Sequence, residues 1–318
     1  MEAGRLPATR VRAALIGALL ALTALAWLVV ARRMDGMDAG PGTDPGTLGF
    51  YTLSWVVMMA AMMFPSIVPM VLAFSSIQHR RRTRGAVKGS ISTGVFVAGY
   101  LVSWTVFGLG AYAAFTWVRS LSIGALSWSH DGRYLAGGVL VAAALYQLTP
   151  AKDACLRRCR SPLDFVLEHW HEGQLGAVRM GAIHGAWCVG CCWMLMAALF
   201  ALGLMSITWM IVLAAAIAAE KLLPSPATTN RLIAAALAAL GIALISSPSN
   251  VPGLVIPNSA QAQRAMQAMH GNQIGAGMHG MNNAATIRKG RAMPGSQKGA
   301  GATAGHGPNN GMPRSGMK

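Results

Sequence analysis

Residues His184 to Met196 read HGAWCVGCCWMLM and place three thiols, Cys188, Cys191 and Cys192, inside an otherwise apolar run. With His184 they fall at i, i+4, i+7 and i+8 of a helix, on one stripe about 100° wide. Three thiols and an imidazole on one face of a buried helix can converge on a single thiophilic ion, copper first and zinc second. The same residues can carry thiol–disulfide chemistry, and free cysteines also pack well as small hydrophobes. Just upstream, AKDACLRRCR sets Cys155 and Cys159 among Lys152, Arg157, Arg158 and Arg160. That positive surrounding favours thiolate and suits metal capture or attack on a disulfide. All five cysteines lie in this one region, which reads as a site and not as a dispersed disulfide framework.

Other soft donors lie outside this region. Met58 with Met62 and Met59 with Met63 are i,i+4 neighbours whose thioethers suit Cu(I), although methionine is also a common filler of apolar gaps. Near the carboxyl end, Met266, Met269 and His270 form Met-x-x-Met-His, and Met278, His279 and Met281 form Met-His-Gly-Met. Thioethers and imidazoles on a polar chain suit copper where thiols would oxidise, unless the segment is only a biased linker. A loop with Met34, Met37 and Asp38 shares that side of the chain. His184 within an apolar helix is costly and points to function, and Glu220 beside Lys221 is a further candidate.

The elements that carry these residues are set by composition. Hydrophobic residues make up 54% and charged residues 11%, against about 25% charged in a soluble domain. Repeated long apolar runs predict an integral membrane protein and exclude a soluble enzyme. The net charge of +16 then reports topology and anionic lipid and implies no nucleic-acid partner. The pattern predicts an all-α, polytopic membrane helix bundle with about seven transmembrane helices: 13–31, 52–74, 91–118, 134–148, 182–204, 206–219 and 232–245. The first exceeds the roughly 7–15-residue apolar core of a signal sequence, and whether it is cleaved stays open. Pro65 and Pro69 should kink or interrupt the second. Leu163, Val166, Leu167 and Trp170 recur at helical spacing behind Ser161-Pro162, an amphipathic helix expected on the membrane surface.

Three regions follow: a basic segment 1–12, a transmembrane domain 13–247, and a Gly/Met/His-rich tail 248–318 expected to be disordered. Sidedness follows the Lys and Arg residues of the loops. Arg5, Arg10 and Arg12, the Arg80–Lys88 cluster, Lys152 to Arg160 with Arg179, and Lys221 with Arg231 outweigh Arg32, Arg33, Arg119 and Arg133. In a bacterial inner membrane this places the cysteine region in the cytoplasm and the tail outside.

The segments SWVVMMAAMMFPSIVP, LYQLTPAKDACLRRCRSP and GAIHGAWCVGCCWMLM, followed by Gly203-Leu-Met205 and Glu220-Lys221, resemble the predicted metal-binding integral membrane proteins, domain of unknown function number 2182. The likeness covers roughly residues 55–221. It implies a multi-span helical membrane protein with a metal site, and the Met/His tail lies outside it. The expected function is binding or movement of a thiophilic metal ion, copper favoured, by a protein in contact with the lipid bilayer. Cys155, Cys159, Cys188, Cys191, Cys192 and His184 are the inner ligands, and Met58 to Met63 line a route. The alternatives are a membrane thiol–disulfide oxidoreductase and a non-catalytic assembly or scaffold protein. No phosphate-loop motif points to ATP hydrolysis, and no catalytic residue is assigned.

Overall fold

Long apolar runs without turn residues can satisfy their backbone polar groups only as helices, and among the described residues such runs are helical. A computed structural model describes residues 5–34, 36, 38, 40, 41, 45–83, 93–120, 132–251, 253–255, 259, 260 and 262–267. The helices are α1 (Arg5–Met34), α2 (Leu48–Thr83), α3 (Thr93–Ser120), α4 (Arg133–Gln147), α5 (Pro150–Arg160), α6 (Pro162–Glu168), α7 (Gly173–Leu202), α8 (Ile207–Leu222) and α9 (Pro226–Ser246). Among the described residues no strand occurs.

Among the described residues, five helices, α1, α2, α3, α7 and α9, are long and apolar enough to cross a membrane. A sixth is added if α4 and α5, bent by 65° at their junction, form one broken span. The sixth expected span, 206–219, corresponds to α8, whose 16 residues reach about 24 Å at 1.5 Å per residue, short of a hydrocarbon core of about 30 Å. The bend between α4 and α5 has a local cause. Pro150 and Thr149 start a new helix, with the Thr149 side chain accepting from the Lys152 N–H at 3.3 Å.

Tight packing of α3 on α7 positions the centre of the molecule. A Cβ at Gly181 would run into Phe96 O, one at Gly99 into Val178 O, and one at Gly185 would lie 2.8 Å from Tyr100 O. Ser103 Oγ donates to Ala182 O at 2.7 Å across the same seam. Small residues four apart let two backbones meet in this way. Helix α2 is tied to α3 by Trp55 Nε1 donating to Trp104 O at 2.8 Å and Tyr51 OH donating to Gly108 O at 3.0 Å. Despite Pro65 and Pro69, α2 runs as one helix. Ser66 Oγ donates to Met63 O at 2.8 Å, beside the first proline.

Two expectations about local elements change. The stripe Leu163, Val166, Leu167 and Trp170 is divided, because α6 ends at Glu168 and Trp170 lies beyond it. Phe165 and Val166 are the buried pair of α6, while Leu163 and Leu167 are exposed. Trp170 stacks on Phe74 of α2 at 5.9 Å, under the Arg81 guanidinium. In the carboxyl segment, Pro248–Asn250 form a 3-10 turn, and residues 262–267 are helical with Ala262 and Ala265 buried. The remainder of the tail, 268–318, lies outside the described residues, as does Met37.

Candidate metal centre

Helix α7 delivers the cysteine stripe as its spacing requires. Cys188, Cys191 and Cys192 are buried, and their sulfurs all lie within 4.8 Å of one another. The Cys191 and Cys192 sulfurs are 3.3 Å apart, and Cys191 Sγ also reaches Cys188 O at 3.1 Å. Such a cluster suits one thiophilic cation, because soft sulfur donors select Cu(I) or Zn(II) over hard ions.

Helix α5 adds a thiol from a second segment. Cys159 Sγ lies 3.8 Å from Cys191 Sγ. Cys155 stands apart from this contact, half-buried against the α7 backbone, where a Cβ at Gly190 would meet its sulfur at 2.8 Å. Two of the basic residues expected around this pair are engaged elsewhere. Arg158 pairs with Glu168 at 3.1 Å and lies over the Trp187 ring, and Arg160 donates to Glu220 O and Leu223 O.

The cation at the thiols comes from α8. Lys221 Nζ lies 2.9 Å from Cys188 Sγ and 3.3 Å from Ser66 Oγ of α2. Tyr100 of α3 brings its hydroxyl to 3.1 Å from the same sulfur. Neither Lys221 nor Tyr100 was singled out as a thiol contact from sequence spacing. Glu220 does not pair with Lys221. It turns to α5 and meets Lys152 Nζ at 2.7 Å, with both side chains fully buried. Gln147 Nε2 also donates to Glu220 Oε1 at 2.7 Å, and Lys152 Nζ to Gln147 Oε1. This pair ties α5, and with it Cys159, to α8.

His184 is buried one turn before Cys188, between the rings of Tyr100 at 5.8 Å and Phe165 at 5.3 Å. Its Nδ1 has no hydrogen-bond partner, so a ring nitrogen remains available to an ion. Met58, Met59, Met62 and Met63 are all buried on α2. Their level in the bundle is set by their neighbours: Trp55 packs on Phe200 of α7 at 5.9 Å, and Ser66 meets Lys221. The four thioethers therefore lie between the carboxyl end of α7 and the thiol cluster. Met266 is the last of the candidate donors within the described residues and is exposed. Met269, His270, Met278, His279 and Met281 lie outside them.

No curated protein and no solved structure matches the chain. A family model does, that of PpoB2, a copper chaperone, over residues 52–244. The matched stretch begins within α2, ends within α9 and contains all five cysteines. A copper-related family and a cluster of three buried thiols thus coincide on α7. The chain belongs to the PpoB2 copper chaperone family.

Proposed function

We propose that this protein is a membrane-embedded copper carrier that holds Cu(I) on a thiol centre and passes it on. The observation that carries this reading is the convergence of Cys188, Cys191 and Cys192 within 4.8 Å, in a chain of a copper chaperone family. Cys159 is the further ligand from α5, and His184 offers an imidazole from one turn away. Binding releases thiol protons as Cu(I)–thiolate bonds form. The Lys221 ammonium offsets the negative charge of several thiolates on a monovalent ion. Cys155 lies at the edge of the centre, where an incoming or departing ion would be handed over.

The bilayer is the second half of the proposal. Five helices of membrane length support it, as does the resemblance of residues 55–221 to the predicted metal-binding integral membrane proteins. Seven passes, with α8 as a short span and α4–α5 as a bent one, put the thiol centre at the cytoplasmic side of the inner membrane. The thiols there stay reduced. The Met/His-rich tail then lies outside and collects copper through thioethers and imidazoles. A thiol–disulfide oxidoreductase needs a cysteine that a partner's disulfide can reach. Cys188, Cys191 and Cys192 are at most 1% exposed, which suits an ion better than a protein substrate. Copper analysis of the purified protein beside its Cys→Ser variants tests the proposal.

A further inference from the structure

A second group of soft donors lies at the other end of α7. Met34 closes α1, Asp38 follows it, and Met205 and Ser206 form the turn between α7 and α8. Together with Thr208 and Leu254 they line a cavity of about 350 Å³. Both methionines are 2% exposed, although one closes a helix and the other sits in a turn, where a side chain could readily point outward. Asp38 is fixed as well. Its carboxylate accepts from the Gly40 N–H at 3.0 Å and from the Ser206 hydroxyl. It also closes on Gly203, where a Cβ would meet Asp38 Oδ1 at 3.2 Å. Gly203 has a φ of +120°, a conformation that favours glycine, so the turn presenting Met205 is built to this shape.

Two thioethers and one carboxylate around a single cavity select a soft monovalent cation. Thioethers carry no charge and no proton, so they bind Cu(I) or Ag(I) without deprotonation. One carboxylate balances one positive charge, and two donated hydrogen bonds leave it lone pairs to spare. We propose that Met34, Met205 and Asp38 form a second Cu(I) site at the end of the bundle opposite the thiol centre. This rests on the copper reading above and adds the point where the ion enters or leaves. The fifteen α7 residues from Cys188 to Leu202 span about 22 Å at 1.5 Å per residue. Met58, Met59, Met62 and Met63, each at most 1% exposed, occupy the level between. The donors thus change from thioethers and a carboxylate at one end, through thioethers, to thiols at the other, in order of rising affinity for Cu(I).

The test is Cu(I) competition against bicinchoninate on the full-length protein in detergent, in the wild type and in a thiol-free chain with all five cysteines changed to Ser. In both backgrounds Met34→Leu/Met205→Leu, which conserves volume, should lower bound copper by one equivalent. Asp38→Asn should weaken that equivalent at least about tenfold, the lower end of what loss of a partner costs a metal site. Equal copper with and without the two thioethers overturns the site. If the double variant does not elute as the wild type does, the Asp38→Asn shift decides, and an unchanged affinity overturns the site. The thiol reading is judged separately, by the difference between the two backgrounds. If the thiol-free chain keeps every equivalent, that reading fails, and the Met34/Met205 difference still stands or falls alone.

Discussion

Lys221 Nζ lies 2.9 Å from Cys188 Sγ, and both side chains are buried. A thiolate centre holding Cu(I) keeps net negative charge, and the ammonium ion in contact with its sulfur offsets it. Lys221→Met keeps the length of the side chain and removes the charge. It should weaken Cu(I) retention about tenfold or more, the scale for loss of an outer-shell partner of a metal site. Chelator competition on the purified variant measures this. Tighter binding would show that the lysine opposes the ion.

The thiols should rank by position. Cys188→Ser and Cys191→Ser should cost most of the retained copper, because both sulfurs lie within the buried cluster. Cys159→Ser should cost less, since it approaches from α5 at 3.8 Å. Cys155→Ser should leave retention nearly unchanged and affect transfer to a chelator. Metal content of each single variant gives the order, and a dominant effect of Cys155 would move the centre towards α5.

How far the sequence reveals this centre differs from residue to residue. The stripe on α7 is legible because a 3.6-residue period fixes which positions share a face. The Lys221 contact is not, since Glu220-Lys221 reads as a neighbouring ion pair. Successive helix residues point about 100° apart, so the two turn to different partners, Lys152 and Cys188. The reverse holds for Lys152, which reads as part of an exposed basic turn and is fully buried. Among the described residues, the helices other than α5 overlap the apolar runs and cap signals of the sequence, yet the number of spans is less legible. A 16-residue helix and a 65° bend carry apolar runs as spans do, without the length.

The buried pair of Lys152 and Glu220 should matter chiefly when broken. Glu220→Leu leaves an unpaired ammonium in the interior and should cost about 3–5 kcal/mol. The double variant Lys152→Met/Glu220→Leu should recover most of that loss. Thermal unfolding in detergent separates the two, and a double variant as unstable as the single would mean that the pair stabilises in its own right.

Where α3 meets α7, Gly181→Ala should force the helices apart, because the new Cβ would enter Phe96 O. A cost of about 1–3 kcal/mol is expected for such overpacking. Tyr100 would withdraw from Cys188, so copper retention should fall with stability. Gly138, within α4, where an added Cβ meets nothing within 4 Å, is the control: Gly138→Ala should leave copper retention unchanged and raise stability by about 0.5–1 kcal/mol. Equal effects at the two positions would contradict the close-approach account.

Asp38 predicts a pH dependence of stability in the metal-free protein. Burial raises its carboxyl above the ordinary 3.8, so the folded chain holds that proton more tightly than the unfolded chain. Its contribution is therefore most favourable below the unfolded value and is lost as pH rises through the folded one. Asp38→Asn should raise the melting temperature at pH 7, with the gap closing towards pH 4 and below. Unfolding scans at the two values check the sign, and a variant less stable at pH 7 would contradict it.

The central claim is that the buried thiols of α7 hold copper. Elemental analysis of the full-length protein, purified from copper-supplied cells under reducing conditions, tests it most directly when set beside Cys188→Ser/Cys191→Ser/Cys192→Ser. The account predicts copper in the wild type and loss of the thiol-bound ion in the triple variant, with the same elution profile for both. Equal copper in the two proteins would contradict it.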